Sequence, residues 1–163
     1  AFDKNRAIRA DKLFFDSDGT IRKVIPTLRG VGLVAAGSQI QIDRYSAISD
    51  AGVGVSFLDE ANPFAGWKTT FSAAQSWVRF NEVDFGHGAQ KTLDVRAKSG
   101  AGGALEIRID GRDGPVIGRV AVGSGGEWTT ASVATKRVRA GVHDLIVTQI
   151  GGESVEVDWV RFR

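Results

Sequence analysis

The residues of this chain that could do catalytic chemistry are few and scattered. Its 163 residues include no cysteine, so thiolate nucleophiles and thiolate metal sites are excluded. Of the two histidines, His87 lies in a glycine-flanked turn, and His143 begins a strand where we expect a packed, hydrogen-bonded ring. No Gly-x-Ser-x-Gly turn and no glycine-rich phosphate loop is present. Paired carboxylates are the one catalytic device left open, and nothing singles out a pair among the 19 acids.

Aromatic residues in predicted loops carry a signal for binding instead. Sugar rings pack their C–H face on an indole or phenyl ring and offer hydroxyls to planar polar groups. Trp128 follows the flexible stretch 123–127, while Phe64, Trp67 and Phe71 lie in a long segment, 59–76, with few strand signals. We interpret these as candidate ligand contacts, with packing as the alternative. For Trp77 and Trp159, which lie inside predicted strands, we expect core positions.

Oxygen-bearing side chains suggest a metal as a second possibility. Gln41 and Asp43 are two residues apart in a predicted strand, and Asp158 lies in the apolar last strand on the side of Val160 and Phe162. A buried acid must be paired, hydrogen-bonded or metal-bound. Oxygen ligands of this kind suit calcium better than zinc. Asp16 and Asp18, by contrast, lack the spacing of a calcium-binding loop, and we expect a plain turn there.

The composition describes a folded chain with no strong charge preference. Hydrophobic residues make up 42%, enough for a core, and 21 Lys and Arg are interspersed with 19 Asp and Glu. We therefore expect neither nucleic-acid binding nor membrane insertion, because no long basic run and no apolar run of roughly 20 residues occurs. The start at Ala1, without Met, leads us to expect a mature or excised piece of a longer protein.

Alternation of apolar and polar residues with period two predicts an all-β fold. Leu93, Val95 and Ala97 form one such series, and residues 105–109 form another before a predicted Asp-Gly hairpin turn at 110–114. Short strands at close spacing favour a sandwich whose Val, Ile and Leu form the core. A β-hairpin, 7–15 with 21–26, precedes it as an appendage, and we place the domains at 1–36 and 37–163.

Five segments together resemble the family 6 carbohydrate-binding modules: Gln41–Tyr45, Trp77–Gly86, Gly102–Arg108, Gly141–Leu145 and Val157–Phe162. The resemblance implies a jelly-roll β-sandwich that binds xylan, arabinan, β-glucan, agarose or a similar glycan. It also implies a structural Ca²⁺ with Gln41, Asp43 and Asp158 among its ligands. Trp128 matches the family's sugar-stacking tryptophan, Glu156 lies near a sugar-binding position, and Trp67 or Phe64 could complete a ring clamp.

The N-terminal piece has a resemblance of its own. Asn5–Ile8, Asp11–Phe15, Asp18–Ile21 and Val24–Gly32 look like the end of the catalytic domain in family 43 glycoside hydrolases. That resemblance implies an upstream catalytic domain holding the catalytic acids, and a secreted or periplasmic enzyme. We therefore expect a non-catalytic module that binds a polysaccharide or oligosaccharide. The alternative is a structural accessory domain that packs on the catalytic propeller without a glycan site.

Overall fold

The computed structural model describes residues 9–163. This part of the chain forms twelve strands and one 3-10 turn, Pro63–Ala65. The strands are β1 Val34–Ala35, β2 Ile40–Gln41, β3 Ala47–Ile48, β4 Val53–Phe57, β5 Trp67–Phe71, β6 Trp77–Asp84, β7 Thr92–Lys98, β8 Gly103–Ile109, β9 Val116–Val122, β10 Thr129–Ala134, β11 Val142–Gly152 and β12 Val155–Phe162. No helix in residues 9–163 has the length and apolar character of a membrane span.

The strands pair into two sheets that face each other across one core. The first sheet has the order β1-β6-β11-β8-β9, with β3 also on β6, and the second has the order β10-β7-β12-β5-β4, with β2 also on β12. Only the pairing of β1 with β6 is parallel among the described strands. Because chain neighbours often lie in different sheets, the long connections make a sandwich rather than a meander.

The predicted inward series are confirmed as the core. Leu93, Val95 and Ala97 of β7 and Leu105, Ile107 and Ile109 of β8 are all buried, whereas Arg96 and Lys98 remain partly exposed. Period-two alternation fixes this because successive side chains of a strand point to opposite faces. The predicted hairpin turn also forms, with Asp110 and Gly111 at positive φ between β8 and β9.

The segment 59–76 differs from the prediction of one long loop. Its second half is the strand β5, which pairs with β4 and with β12, and Phe71 is fully buried in the core rather than available to a ligand. The strand reads Trp-Lys-Thr-Thr-Phe, which is short and polar in its middle, and Thr69 faces inward. Pairing with two neighbours therefore decided the strand, against a weak local pattern.

The N-terminal appendage is held by side chains more than by strands. The predicted hairpin is reduced to one bridge between Phe15 and Ile21, and its residues 7 and 8 lie outside the described part of the chain. Asp18 accepts a hydrogen bond from the amide of Thr20 at 2.9 Å, as expected for a plain turn. Buried Arg29 donates to the carbonyl of Asn81 at 3.0 Å and ties the segment to β6.

The sandwich itself begins before the predicted boundary. Val34–Ala35 is already the strand β1, and Ala36 is buried in the core cluster. Its carbonyl accepts from the amide of Phe162, and its own amide donates to Asp84. Both sheets therefore engage residues 34–36.

Candidate functional site

Trp128 stands at the end of a glycine-rich loop that two backbone hydrogen bonds hold in place. The amides of Gly125 and Gly126 donate to the carbonyls of Gly100 and Ser99, each at 3.0 Å. Gly125 has φ 113° and Gly126 has φ 76°, values that other residues reach only with strain. This geometry sets the half-buried indole of Trp128 at the start of β10, beside the edge of β7.

Two cations from β7 lie over the Trp128 ring. The guanidinium carbon of Arg96 is 5.1 Å from the ring centroid, and the ammonium of Lys98 is 5.2 Å from it. Both side chains lie on the outer face of the second sheet, which is the face turned away from the core. Such contacts stabilise by about 0.5–2 kcal/mol, depending on solvent exposure.

Glu156 lies between two lysines, one of which, Lys98, also contacts the Trp128 ring. Its Oε2 is 3.0 Å from the Nζ of Lys68 on β5 and 3.1 Å from the Nζ of Lys98 on β7. Burial alone would raise the pKa of Glu156, but the two ammonium groups outweigh burial and leave that pKa below its usual value. The row Lys68, Glu156, Lys98 thus crosses three adjacent strands, with Glu156 opposite Lys98 in register.

Asp158 occupies a β-bulge in the last strand. The register shifts between Val157 and Trp159, which pair with consecutive residues of β7, so Asp158 is an extra residue in β12. The period-two count that grouped Asp158 with Val160 and Phe162 therefore does not apply across this point. Its nearly buried carboxylate forms an ion pair with Arg96.

Asp43 approaches Asp158 from the N-terminal side. Gln41 ends β2 opposite Trp159, and Asp43 follows in a turn closed by a hydrogen bond from the amide of Arg44 to the carbonyl of Gln41. The predicted strand through Asp43 is thus wrong. Burial raises the pKa of Asp43, Arg44 opposes this, and nearby Asp158 adds to the rise. Within residues 9–163, no group of three or more His, Cys, Asp or Glu side chains could hold a metal ion.

The other two aromatic candidates lie apart from Trp128. Phe64 is fully exposed on the 3-10 turn, and Trp67 is 44% exposed at the start of β5, where it packs on Phe57 with ring centroids 4.4 Å apart. Trp67 borders a cavity of about 660 Å³. Because Trp67 and Lys68 are consecutive in a strand, their side chains point to opposite faces. Lys68 faces Glu156, and Trp67 therefore does not close a clamp over Trp128.

The remaining aromatic and histidine predictions have mixed outcomes. Trp77 is half-buried with Arg112 over its ring at 5.3 Å and does not belong to the core cluster, so its predicted core position is wrong. Trp159 is buried, but it lies under Arg161 outside that cluster. His143 is packed and hydrogen-bonded as predicted, with Nδ1 2.9 Å from Asp110 and Nε2 3.1 Å from the Arg139 carbonyl.

The sequence carries only a partial signal for the cations of the site, Lys68, Arg96 and Lys98. Alternation with Val95 and Ala97 does place Arg96 and Lys98 on the outer face. Their contact with Trp128 depends on the register of β10 against β7, which no local pattern contains.

Residues 47–163 match the profile described as "Carbohydrate binding module (family 6)". The chain belongs to this family. Two curated relatives are arabinoxylan arabinofuranohydrolases, from Paenibacillus polymyxa and from Bacillus subtilis. Each is 26% identical, over 91% and 96% of this chain respectively. The match covers 24% and 32% of their own lengths, so the chain spans about a quarter to a third of these relatives.

Solved structures of this family share the fold. A family 6 module from Clostridium cellulolyticum in complex with xylose has a TM-score of 0.70 at 27% identity, covering 80% of this chain and 99% of that one. A module from Clostridium stercorarium in complex with cellobiose has a TM-score of 0.70 at 22% identity, covering 80% of this chain and 96% of that one. A β-1,3-glucan-binding module from Bacillus halodurans has a TM-score of 0.70 at 25% identity, covering 81% of this chain and 99% of that one. The expected jelly-roll β-sandwich is confirmed.

Proposed function

We propose that this family 6 module binds a plant polysaccharide such as xylan, arabinan or β-glucan through Trp128 and does no catalysis itself. The observation that carries the proposal is the Trp128 indole, presented by a glycine loop at the sheet edge among polar side chains. Such an aromatic platform with a polar rim suits stacking on a pyranose. Family membership and similar modules described with xylose, cellobiose or β-1,3-glucan support it.

Glu156 supplies the polar rim next to the ring. Its carboxylate is already the partner of Lys68 and Lys98, so it can accept from a sugar hydroxyl only through lone pairs that the lysines leave free. We therefore assign Glu156 to orienting the two lysines and, with them, the sugar. Trp67 and Phe64 are both exposed, and we propose each of them as a second and weaker contact for a long glycan.

Affinity electrophoresis and calorimetry test the proposal on wild type and Trp128→Ala, with xylan, arabinan, laminarin and agarose. We expect at least one glycan to bind wild type. Trp128→Ala should weaken that binding by about 1–3 kcal/mol, the size of a lost stacking contact. Trp77→Ala is the matched control, because Trp77 is a half-buried tryptophan on the first sheet. Equal binding by Trp128→Ala and wild type would refute the assignment.

We further propose that Gln41, Asp43 and Asp158 hold the structural Ca²⁺ that the family resemblance implies. The fit rests on hard oxygen donors and on Asp43, whose half-buried carboxylate has a raised pKa because of burial and lies near Asp158. A bound cation would supply the positive charge that two close carboxylates need. Arg96 competes for Asp158, so Asp43 is the decisive ligand.

Thermal melting with and without a chelator tests this site. A cation bound only to the folded state at 100 times its Kd adds about 2.7 kcal/mol of stability. We expect the chelator to lower the Tm of wild type and to leave that of Asp43→Asn unchanged. The same chelator response in both proteins, or none in wild type, would count against calcium at Asp43.

A second candidate function has its own observation, the apolar surface of the N-terminal segment. Nine large hydrophobic side chains between residues 13 and 33 are exposed, three-quarters of all those exposed in the described chain: Leu13, Phe14, Phe15, Ile21, Val24, Ile25, Leu28, Val31 and Leu33. Exposed apolar surface on this scale is typical of an interface. We propose that an upstream glycosidase domain of a secreted or periplasmic enzyme covers it, as the longer curated relatives suggest.

Hydrogen exchange distinguishes this structural role from glycan binding. The chain joined to a family 43 catalytic domain should protect amides in residues 13–33 relative to the chain alone, while the region of Trp128 stays unchanged. Protection of neither region, together with glycan binding by wild type, would leave the binding role alone standing.

A further inference from the structure

We infer that the Trp128 site prefers an acidic glycan, in which sugars bear carboxylate or sulfate groups, over a neutral one. The inference rests on the proposed function, because it concerns the sugar that Trp128 contacts. Its starting observation is that Arg96 and Lys98 both lie within 5.2 Å of the centroid of the candidate stacking ring. A sugar that packs on this indole therefore meets a guanidinium and an ammonium group.

The ion pairs next to the Trp128 ring contain more cations than carboxylates. Lys68 and Lys98 share one carboxylate oxygen, Oε2 of Glu156, and Arg96 pairs with Asp158. Three cations thus share two carboxylates in these ion pairs, and exposed Glu127, the residue before Trp128, takes part in no ion pair within residues 9–163. Lys68 is only 13% exposed, so solvent screens its charge poorly. A charge removed from water is costly unless an opposite charge pairs with it, and an anionic substituent on the ligand would provide that pairing.

More distant acids do not supply the missing charge. Asp43 lies near Asp158, but its neighbour Arg44 offsets it and acts on it more strongly than Asp158 does. Farther along the outer face of the second sheet, one carboxylate, Asp94, serves both Arg161 and Arg163. That group again has one cation in excess.

The two cations next to the ring come from one strand. Arg96 and Lys98 are alternate residues of one strand, so their backbones are about 7 Å apart on one face. The indole offers apolar surface to one sugar, and the Lys98 ammonium and the Arg96 guanidinium, within 5.2 Å of the ring centroid, are close enough to reach acidic groups on that sugar or on its neighbour in the glycan. Carboxylate and sulfate both accept charge-assisted hydrogen bonds from such donors.

The test compares glycans that differ only in charge. Calorimetry of the full chain uses oligogalacturonate against its carboxyl-reduced form, and a sulfated galactan against its desulfated form, at about 0.02 M and about 0.5 M salt. We expect at least one acidic member to bind about tenfold or more tighter than its neutral counterpart at low salt, with the difference much reduced at high salt. The two pairs separate carboxylate from sulfate preference.

Variants at Lys98 locate the effect. Lys98→Gln should lower affinity for the acidic glycan about fivefold or more with little change for the neutral one, and Lys98→Arg should restore it. Lys136→Gln is the matched control, because Lys136 is an exposed lysine beyond the opposite end of β10 from Trp128. Melting curves verify that the variants are folded.

Each outcome decides between this inference and the proposed function. Neutral glycans that bind through Trp128 as tightly as acidic ones overturn the acidic preference and leave the proposed function intact. Acidic binding that Lys98→Gln does not weaken places the charge recognition elsewhere and overturns the inference. Binding of every glycan by Trp128→Ala at wild-type strength, or binding of none by wild type, overturns both.

Discussion

Replacing Asp94 by Asn should cost substantial stability at neutral pH. The Asp94 side chain is 1% exposed on the outer face of the second sheet. It accepts hydrogen bonds from Arg163 at 2.6 and 2.9 Å, from Arg161 at 3.0 Å and from the hydroxyl of Ser132 at 2.7 Å. These bonds join three strands, because Ser132 lies on β10 and Arg161 on β12.

The magnitude follows from the bonds that the substitution removes. A hydrogen bond to a charged group contributes about 1.5–3 kcal/mol, and breaking a buried ion pair costs about 3–5 kcal/mol. Asp94→Asn keeps the volume and one acceptor oxygen, and both arginines are partly exposed and can regain water. We therefore expect a loss of about 2–3 kcal/mol, which lowers Tm by about 4–12 °C for a domain of this size.

The pH dependence gives the sharper test. The Arg163 guanidinium, assisted by Ser132 and Arg161, holds the pKa of Asp94 well below its usual value despite opposing burial. Because the pKa of Asp94 is lower in the folded state than in the unfolded state, its ionised form stabilises the folded protein. This stabilisation is complete above the unfolded pKa of about 3.9 and is lost as pH falls toward the folded-state pKa. The difference in free energy of unfolding between wild type and Asp94→Asn should be constant from about pH 7 to 5 and should shrink below about pH 4.

Urea unfolding followed by circular dichroism at several pH values measures this difference. Asp113→Asn, in the exposed turn between β8 and β9, is the control and should change stability by less than about 0.5 kcal/mol. The reasoning is refuted if Asp94→Asn costs no more than the control. It is also refuted if the cost is the same at about pH 2.5 as at pH 7.

Three further predictions concern other parts of the fold. Glu106→Gln should lower the free energy of unfolding in urea by about 1–3 kcal/mol, because the nearly buried Glu106 carboxylate accepts hydrogen bonds from Arg108 and Arg119. Glu127→Gln is the control, because Glu127 is exposed, and it should change stability by almost nothing. Gly152→Ala should lower the free energy of unfolding by more than about 2 kcal/mol, because φ is 79° and a Cβ would lie 2.5 Å from the Cα of Gly103. Gly123→Ala is the comparison, because a Cβ there meets open space. Equal Tm values for the two variants would contradict the account. His143→Phe should lower Tm, because it removes the hydrogen bonds to Asp110 and to the Arg139 carbonyl while an aromatic ring still packs on Phe85. An unchanged Tm would show that those hydrogen bonds contribute nothing.

Much of the sandwich could be predicted because its strands carry their own pattern. The inward series of β7 and β8 and the Asp-Gly turn at 110–111 follow from local chemistry, namely the two-residue period of a strand and the positive φ that a tight turn needs. The absence of cysteine excluded thiolate chemistry without any structure. The glycines before Trp128 indicate a candidate contact residue, because they place an indole at a loop end.

The tertiary structure decided the features that depend on partners distant in sequence. Phe71 became core because β5 pairs with both β4 and β12, although its own sequence favours a loop. A bulge gave Asp158 an orientation that alternation does not predict, and with it an ion pair to Arg96. The cations over Trp128 likewise come from a register between strands 30 residues apart. The sequence by itself determined the strands with strict alternation, the Asp-Gly turn and the position of Trp128 after a glycine-rich loop, since these are local. Only the tertiary structure decided what charge surrounds that tryptophan, because register and sheet order are properties of the whole chain.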